Sequence, residues 1–167
     1  MLFLFSSLPR VLPRVFFLLL FAIFINGCTT TGETPQIDNL AEEAGNHKFD
    51  AWRLERSAQF EAINVLLDEA DILMEKQAYD AAADKLERVL RIRPDYAPAW
   101  SRLSWLALQT DRPKRAVEMA RRSNSLAYAW PELQSLNWAF IRSASKQLND
   151  QAGYDQADQQ IKALKAF

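Results

Sequence analysis

From Phe49 onward apolar residues recur at intervals of three and four, the spacing that lines one face of an α-helix. The runs are cut by short polar breaks, and they predict helices near residues 50–76, 79–92, 98–109, 113–125, 131–148 and 154–166. The breaks carry their own chemistry. Gln77-Ala78-Tyr79-Asp80 interrupts the first run and Arg93-Pro94-Asp95 ends the second. Pro98, Pro113 and Pro131 open later helices, since proline lacks the N–H that a first turn leaves unused. Asn149 to Gly153 forms the last break, and Gly153 is the only glycine after residue 48. Helices joined by turns this short must lie antiparallel to their neighbours.

The pattern before Phe49 is different. Arg10 and Arg14 precede an apolar run from Val15 to Ile25, followed by Asn26-Gly27-Cys28. The run falls short of the roughly 20 residues a spanning helix needs, and its order of charge, apolar stretch and small residues is that of a secretory leader. It resembles a bacterial lipoprotein signal with its lipobox, so residues 1–27 are expected to be removed and Cys28, the single cysteine, to carry the lipid. Thr29 and Thr30 follow where an aspartate would favour inner-membrane retention. The resemblance therefore implies an outer-membrane protein, lipid-anchored on the periplasmic face. Residues 28–48 hold Thr, Gly, Pro, Asn, Asp and Glu with few large apolar side chains, too little to offset chain entropy, and read as a flexible tether. Residues 49–167 are the expected folded domain.

That helical domain resembles the tetratricopeptide repeat, a helix pair of 34 residues. With Ile63 in the first place, Leu66, Ala70, Tyr79, Ala82, Leu86 and Pro94 fall where the family has residues of their types. An advance of 34 brings Trp100, Leu103, Ser104 and Ala116 into place, and the run from Arg93 to Trp100 resembles the family's junction between repeats. Ala70 and Ala82 are then expected at the contact of two backbones, with Trp100 filling the wedge. A divergent third repeat, anchored on Gly153-Tyr154 with Ala157 and Ile161, would begin at Trp138, seven residues later than 34 predicts. Tyr128 stands where the second repeat's proline would be. The expected fold is all-α, a short solenoid of about three helix pairs.

Composition excludes more than it assigns. The chain is 49% hydrophobic and 25% charged, in the ordinary globular range. Without residues 1–27 it carries 18 basic against 21 acidic side chains, which gives no reason to expect nucleic-acid binding. The single histidine, His47, falls in the tether, no serine has a second histidine to activate it, and no spacing of Cys, His, Asp and Glu suits a metal. The expectation is a protein that is not an enzyme and uses no metal and no cofactor. Asp68, Glu69 and Asp71 on one helix read as a solvated acidic face. Residues 33–87 carry a net −9 and residues 88–122 a net +6, so Arg112, Lys114, Arg115, Arg121 and Arg122 face either an acidic partner, anionic lipid or the acidic first repeat.

What remains is surface. In the family the first helix of each pair lines a groove, and the resemblance carries the partner-binding role to Leu67, Asp71 and Met74 in the first repeat, with Asn64 and Glu75 beside them. In the second repeat it falls on Ser101, Trp105, Leu108 and Gln109, with Pro98, and in the third on Arg142 and Lys146, with Ala139, Asn149 and Asp150. Two readings of Trp105 stand: an aromatic anchor for a partner, or a packing residue against the lengthened third-repeat helix.

The plan of lipobox, tether and three-repeat domain is similar to the outer-membrane lipoprotein activators of class A penicillin-binding proteins. The resemblance implies a periplasmic protein partner of that kind and a role in peptidoglycan synthesis. The alternative is a pilotin or assembly factor for a secretin, pilus or other envelope complex.

Overall fold

A computed structural model describes residues 48–166. Residues 1–47, which hold the expected leader, Cys28, His47 and all of the expected tether except Lys48, lie outside the described residues, and Lys48 opens a 3-10 turn. This turn, Lys48–Trp52, is followed by six helices: α1 Glu61–Glu75, α2 Tyr79–Ile92, α3 Ala97–Gln109, α4 Pro113–Leu126, α5 Pro131–Gln147 and α6 Gln151–Lys165. They form three antiparallel hairpins, α1 with α2, α3 with α4 and α5 with α6, stacked through α2 against α3 and α4 against α5. This is the expected all-α solenoid.

Each hairpin turns on a residue with positive φ: Gln77 at 56°, Asp111 at 53° and Asn149 at 55°. Asp and Asn tolerate the left-handed region better than most residues. The local hydrogen bonds repeat as well: Ala78 N–H donates to Leu73, Arg112 to Ala107 and Asp150 to Ser145. Leu73 and Ala107 are 34 residues apart, but Ala107 and Ser145 are 38. The expected insertion of seven residues is thus four. Helix α5 has 17 residues against 13 in α3, so the extra four, about one turn, lie in that helix.

By the same turn equivalence, Ala70 and Ser104 correspond to Arg142, and Leu86 and Ala120 to Asp158. In the third hairpin these two make an ion pair of 2.8 Å. Near the turn, a Cβ on Gly153 would sit 2.6 Å from Ser145 Oγ and collide with the Asp150 carboxylate. Gly153 is therefore not a break. Helix α6 starts at Gln151, capped by the Asp150 side chain, which accepts from the Gly153 N–H at 3.0 Å.

The first helix is shorter than its pattern predicts. A turn closed by Phe60 N–H on the Ser57 carbonyl ends the irregular stretch before α1, and Phe49 and Trp52 reach the core from the 3-10 turn instead. Their three-residue spacing fits either element. Ile63, Leu66, Ala70, Ala82 and Leu86 are buried, as the repeat register requires. Trp100, expected in the wedge beside Ala70 and Ala82, packs against the core without being enclosed by it. It is partly buried, donates its indole N–H to the Pro94 carbonyl at 2.9 Å, and lies under the Arg122 guanidinium at 5.9 Å. The turn carrying Tyr128 keeps the length of its proline-containing counterpart, since Trp130 N–H bonds the Ala127 carbonyl as Tyr96 N–H bonds that of Arg93. Tyr128 itself is 85% exposed.

Candidate functional site

Helix α3 decides what a partner can reach. Its sequence, APAWSRLSWLALQ, has one charged residue and no polar stripe, and such a helix is buried on all sides. It packs against α2, α4 and α5 and against the 3-10 turn, and every residue from Ala97 to Leu108 except Trp100 is buried. Ser101 and Leu108, expected on an open groove, are fully enclosed, as is Leu67 on α1. Met74 is also buried. In this structure these four are interior positions.

Trp105 is 7% exposed and meets the Tyr79 ring edge-on at 5.8 Å. Its packing partner therefore includes the start of α2, an arrangement that neither reading from the sequence anticipated. Gln109 is half-buried at the end of α3. Arg142 is engaged with Asp158, and Lys146 lies at a shallow cleft with Ser145, Asn149, Asp150, Gln151 and Tyr154. The nine expected contact residues thus do not form one surface.

Asp71 is the exception with a defined electrostatic role. Arg53, from the segment before α1, binds Asp71 and Asp68 and also reaches Asp50 at 3.0 Å. Burial opposes its charge, but Asp71, Asp50 and Asp68 together hold the Arg53 pKa above the ordinary arginine value. Arg102, on α3, is wholly buried, with Nε 3.5 Å from Asp71, longer than a hydrogen bond, and none of its guanidinium nitrogens has a hydrogen-bond partner among the described residues. Burial pushes its pKa below the ordinary value in spite of Asp71. The Phe49 ring covers the guanidinium at 4.9 Å, a cation–π contact. Burial also raises the Tyr96 pKa against the pull of the neighbouring arginines, and the Tyr96 hydroxyl donates to the Trp52 carbonyl at 2.6 Å.

The acidic run is therefore not a solvated face. Asp68 and Asp71 hold Arg53, and Glu69 pairs with Lys85 at 2.6 Å. Part of the basic band is matched internally, Arg112 to Asp80 at 3.1 Å and Arg115 to Glu87 at 2.9 Å. A second polar cluster escaped the sequence reading. Buried Asn137 on α5 donates to Ser123 Oγ and to Asn124 Oδ1, both at 2.8 Å, while Ser123 donates to the Ala97 carbonyl at 2.9 Å. This run of bonds fixes α3, α4 and α5 together and gives partners to the Ser123 hydroxyl and the Asn137 amide N–H groups, while Asn137 Oδ1 and Asn124 Nδ2 have none among the described residues. The one available signal was a polar residue on an otherwise apolar helix face. Among the described residues no group of three or more His, Cys, Asp and Glu side chains could hold a metal ion, and no helix is long and apolar enough to cross a membrane.

Residues 73–136 match the tetratricopeptide repeat family. The matched segment runs from the end of α1 through α2, α3 and α4 into the start of α5, so it contains the regular 34-residue step and ends early in the first helix of the divergent third hairpin. No curated protein and no solved structure matches the chain. Tetratricopeptide segments are scaffolds for binding other proteins, and residues 73–136 are similar to them.

Proposed function

We propose that this chain is a lipid-anchored docking protein of the bacterial envelope, without chemistry of its own, which binds a class A penicillin-binding protein in the periplasm and stimulates its synthesis of peptidoglycan. The observation that carries the docking role is the tetratricopeptide match within a stacked-hairpin solenoid. The envelope setting rests on the order Arg14, apolar run, Gly27-Cys28 and on the polar stretch behind it. Geometry sets a condition. About 20 tether residues reach at most roughly 70 Å and average about 25 Å when flexible, so the synthase must extend toward the outer membrane.

The test is glycan polymerisation and crosslinking by a class A penicillin-binding protein with and without the purified chain, alongside in-cell crosslinking from Gln109 and Lys146. Stimulation together with capture of the synthase supports the proposal. Capture of a secretin or pilus component instead, without stimulation, assigns the protein to assembly of that complex.

A further inference from the structure

Phe49 is 5% exposed although it lies in the short 3-10 turn, outside the six α-helices and their hairpins. It is held, with the residues that follow it, in the way a bound peptide is held. Its ring sits on the Arg102 guanidinium and meets Trp52 edge-on at 6.4 Å. Arg53 inserts between the carboxylates of Asp68 and Asp71 on α1. Two side chains of the helical body bond backbone carbonyls of the segment, Tyr96 to Trp52 at 2.6 Å and Asn64 to Glu55 at 3.3 Å. Each of these contacts uses a side chain of the segment, of the helical body or of both. Between Arg53 and α1 the chain forms no regular element other than the turn at Ser57, and Glu55, Arg56, Ala58 and Gln59 are exposed. That stretch serves as a linker between the segment and the body it covers.

We propose that the face formed by α1 and α3 is a peptide-docking groove which the chain's own Phe49–Arg53 fills in cis. The partner segment it accepts has the same chemistry, two aromatic side chains three positions apart with a basic residue directly after the second. The basic residue is required. Without Arg53, among the described residues Asp68 keeps only the exposed Arg56 at 3.6 Å and Asp71 only Arg102 at 3.5 Å, both longer than a hydrogen bond. The aromatic is required for the complementary reason, because an apolar ring covers a guanidinium that has no hydrogen-bond partner and attracts it through its π face. A segment joined by a short linker competes at an effective concentration of about millimolar. An outside peptide with micromolar intrinsic affinity is then masked until its partner supplies further contacts.

The inference rests on the docking reading above for its use in the cell, but its test needs no outside protein. A fluorescent peptide of residues 48–57 is titrated against the full chain in detergent, as wild type and as the double variant Phe49→Ala, Arg53→Glu. The expected result is saturable binding to the variant, at least tenfold weaker binding to wild type, and none by a peptide carrying the same two changes. Equal binding to both chains, or binding to neither, overturns the proposal. Hydrogen exchange on the wild-type chain decides the matter independently of how the variant folds. Amides of residues 49–55 that exchange by local opening while α1 and α3 stay protected support a displaceable segment, and exchange only through global unfolding makes it a fixed part of the core. Failure here leaves the synthase assay unaffected, and a negative synthase assay leaves this titration unaffected.

Discussion

Among the described residues Asp71 is the one carboxylate within ion-pair distance of the buried Arg102 guanidinium, at 3.5 Å, and it simultaneously binds Arg53. One side chain thus joins α1, α3 and the segment before α1. The arrangement is asymmetric, because Asp71 has a second cation and Arg102 has no second anion in contact among the described residues.

Asp71→Ala is therefore expected to destabilise the fold strongly, by roughly 3 to 5 kcal/mol, since it leaves a buried charge uncompensated. Arg102→Met removes a cation whose pKa burial already depresses. The charged form then weighs against folding at every working pH, and the substitution should be far milder, between neutral and about 1 kcal/mol either way. Chemical denaturation of the two variants checks the order. A larger loss in Arg102→Met would mean the ion pair stabilises more than its burial costs.

Gly153→Ala should reverse the usual sign. An alanine in a helix normally gains about 0.5 to 1 kcal/mol over glycine. Here its Cβ runs into the Asp150 cap and the Ser145 hydroxyl, for an expected loss of roughly 1 to 3 kcal/mol. Adding Ser145→Ala should restore part of that loss, and thermal melts of the two singles and the double measure the coupling.

Trp105→Ala is expected to cost roughly 3 to 5 kcal/mol through the cavity it leaves. Trp105→Phe keeps a ring against Tyr79 and removes an indole N–H without a partner, so it should cost less than about 1.5 kcal/mol. A partner-binding defect in Trp105→Phe at unchanged stability would return this residue to the docking surface.

The pairing of Asp158 predicts a pH dependence. Hydrogen bonds from Lys162 and Arg142 hold its carboxyl below the ordinary value. Its contribution is present above the unfolded carboxylate pKa, near 4, and is lost as pH falls through the lower folded value. Melting temperatures of wild type and Asp158→Asn should differ most near neutral pH and converge below about pH 4. A constant gap would show that the charge is not what stabilises.

For the anchor, Cys28→Ala should abolish incorporation of labelled palmitate and leave an uncleaved precursor. Unchanged membrane fractionation and a normal N-terminus in the variant would remove Cys28 from that role.

The amino-acid sequence by itself determined the helices, their order and the first two repeats, because each of those features is local. Apolar spacing sets a helix face, proline at a first turn sets a start, and a 34-residue step with small residues at Ala70, Ala82, Ser104 and Ala116 sets the hairpin contacts. Tertiary structure alone decided what those helices enclose. The same three-residue spacing of Phe49 and Trp52 suits a helix or a 3-10 turn, and only the covering of Arg102 selects the turn. In the third hairpin an ion pair, Arg142 with Asp158, stands where small and apolar side chains marked the others, so the register was readable only from the turn's hydrogen bonds. The groove failed to appear where family places put it because burial belongs to a helix's neighbours and not to its own sequence. α3 is flanked by α2, α4, α5 and the turn before α1, and a helix covered on every side turns its contact residues into core.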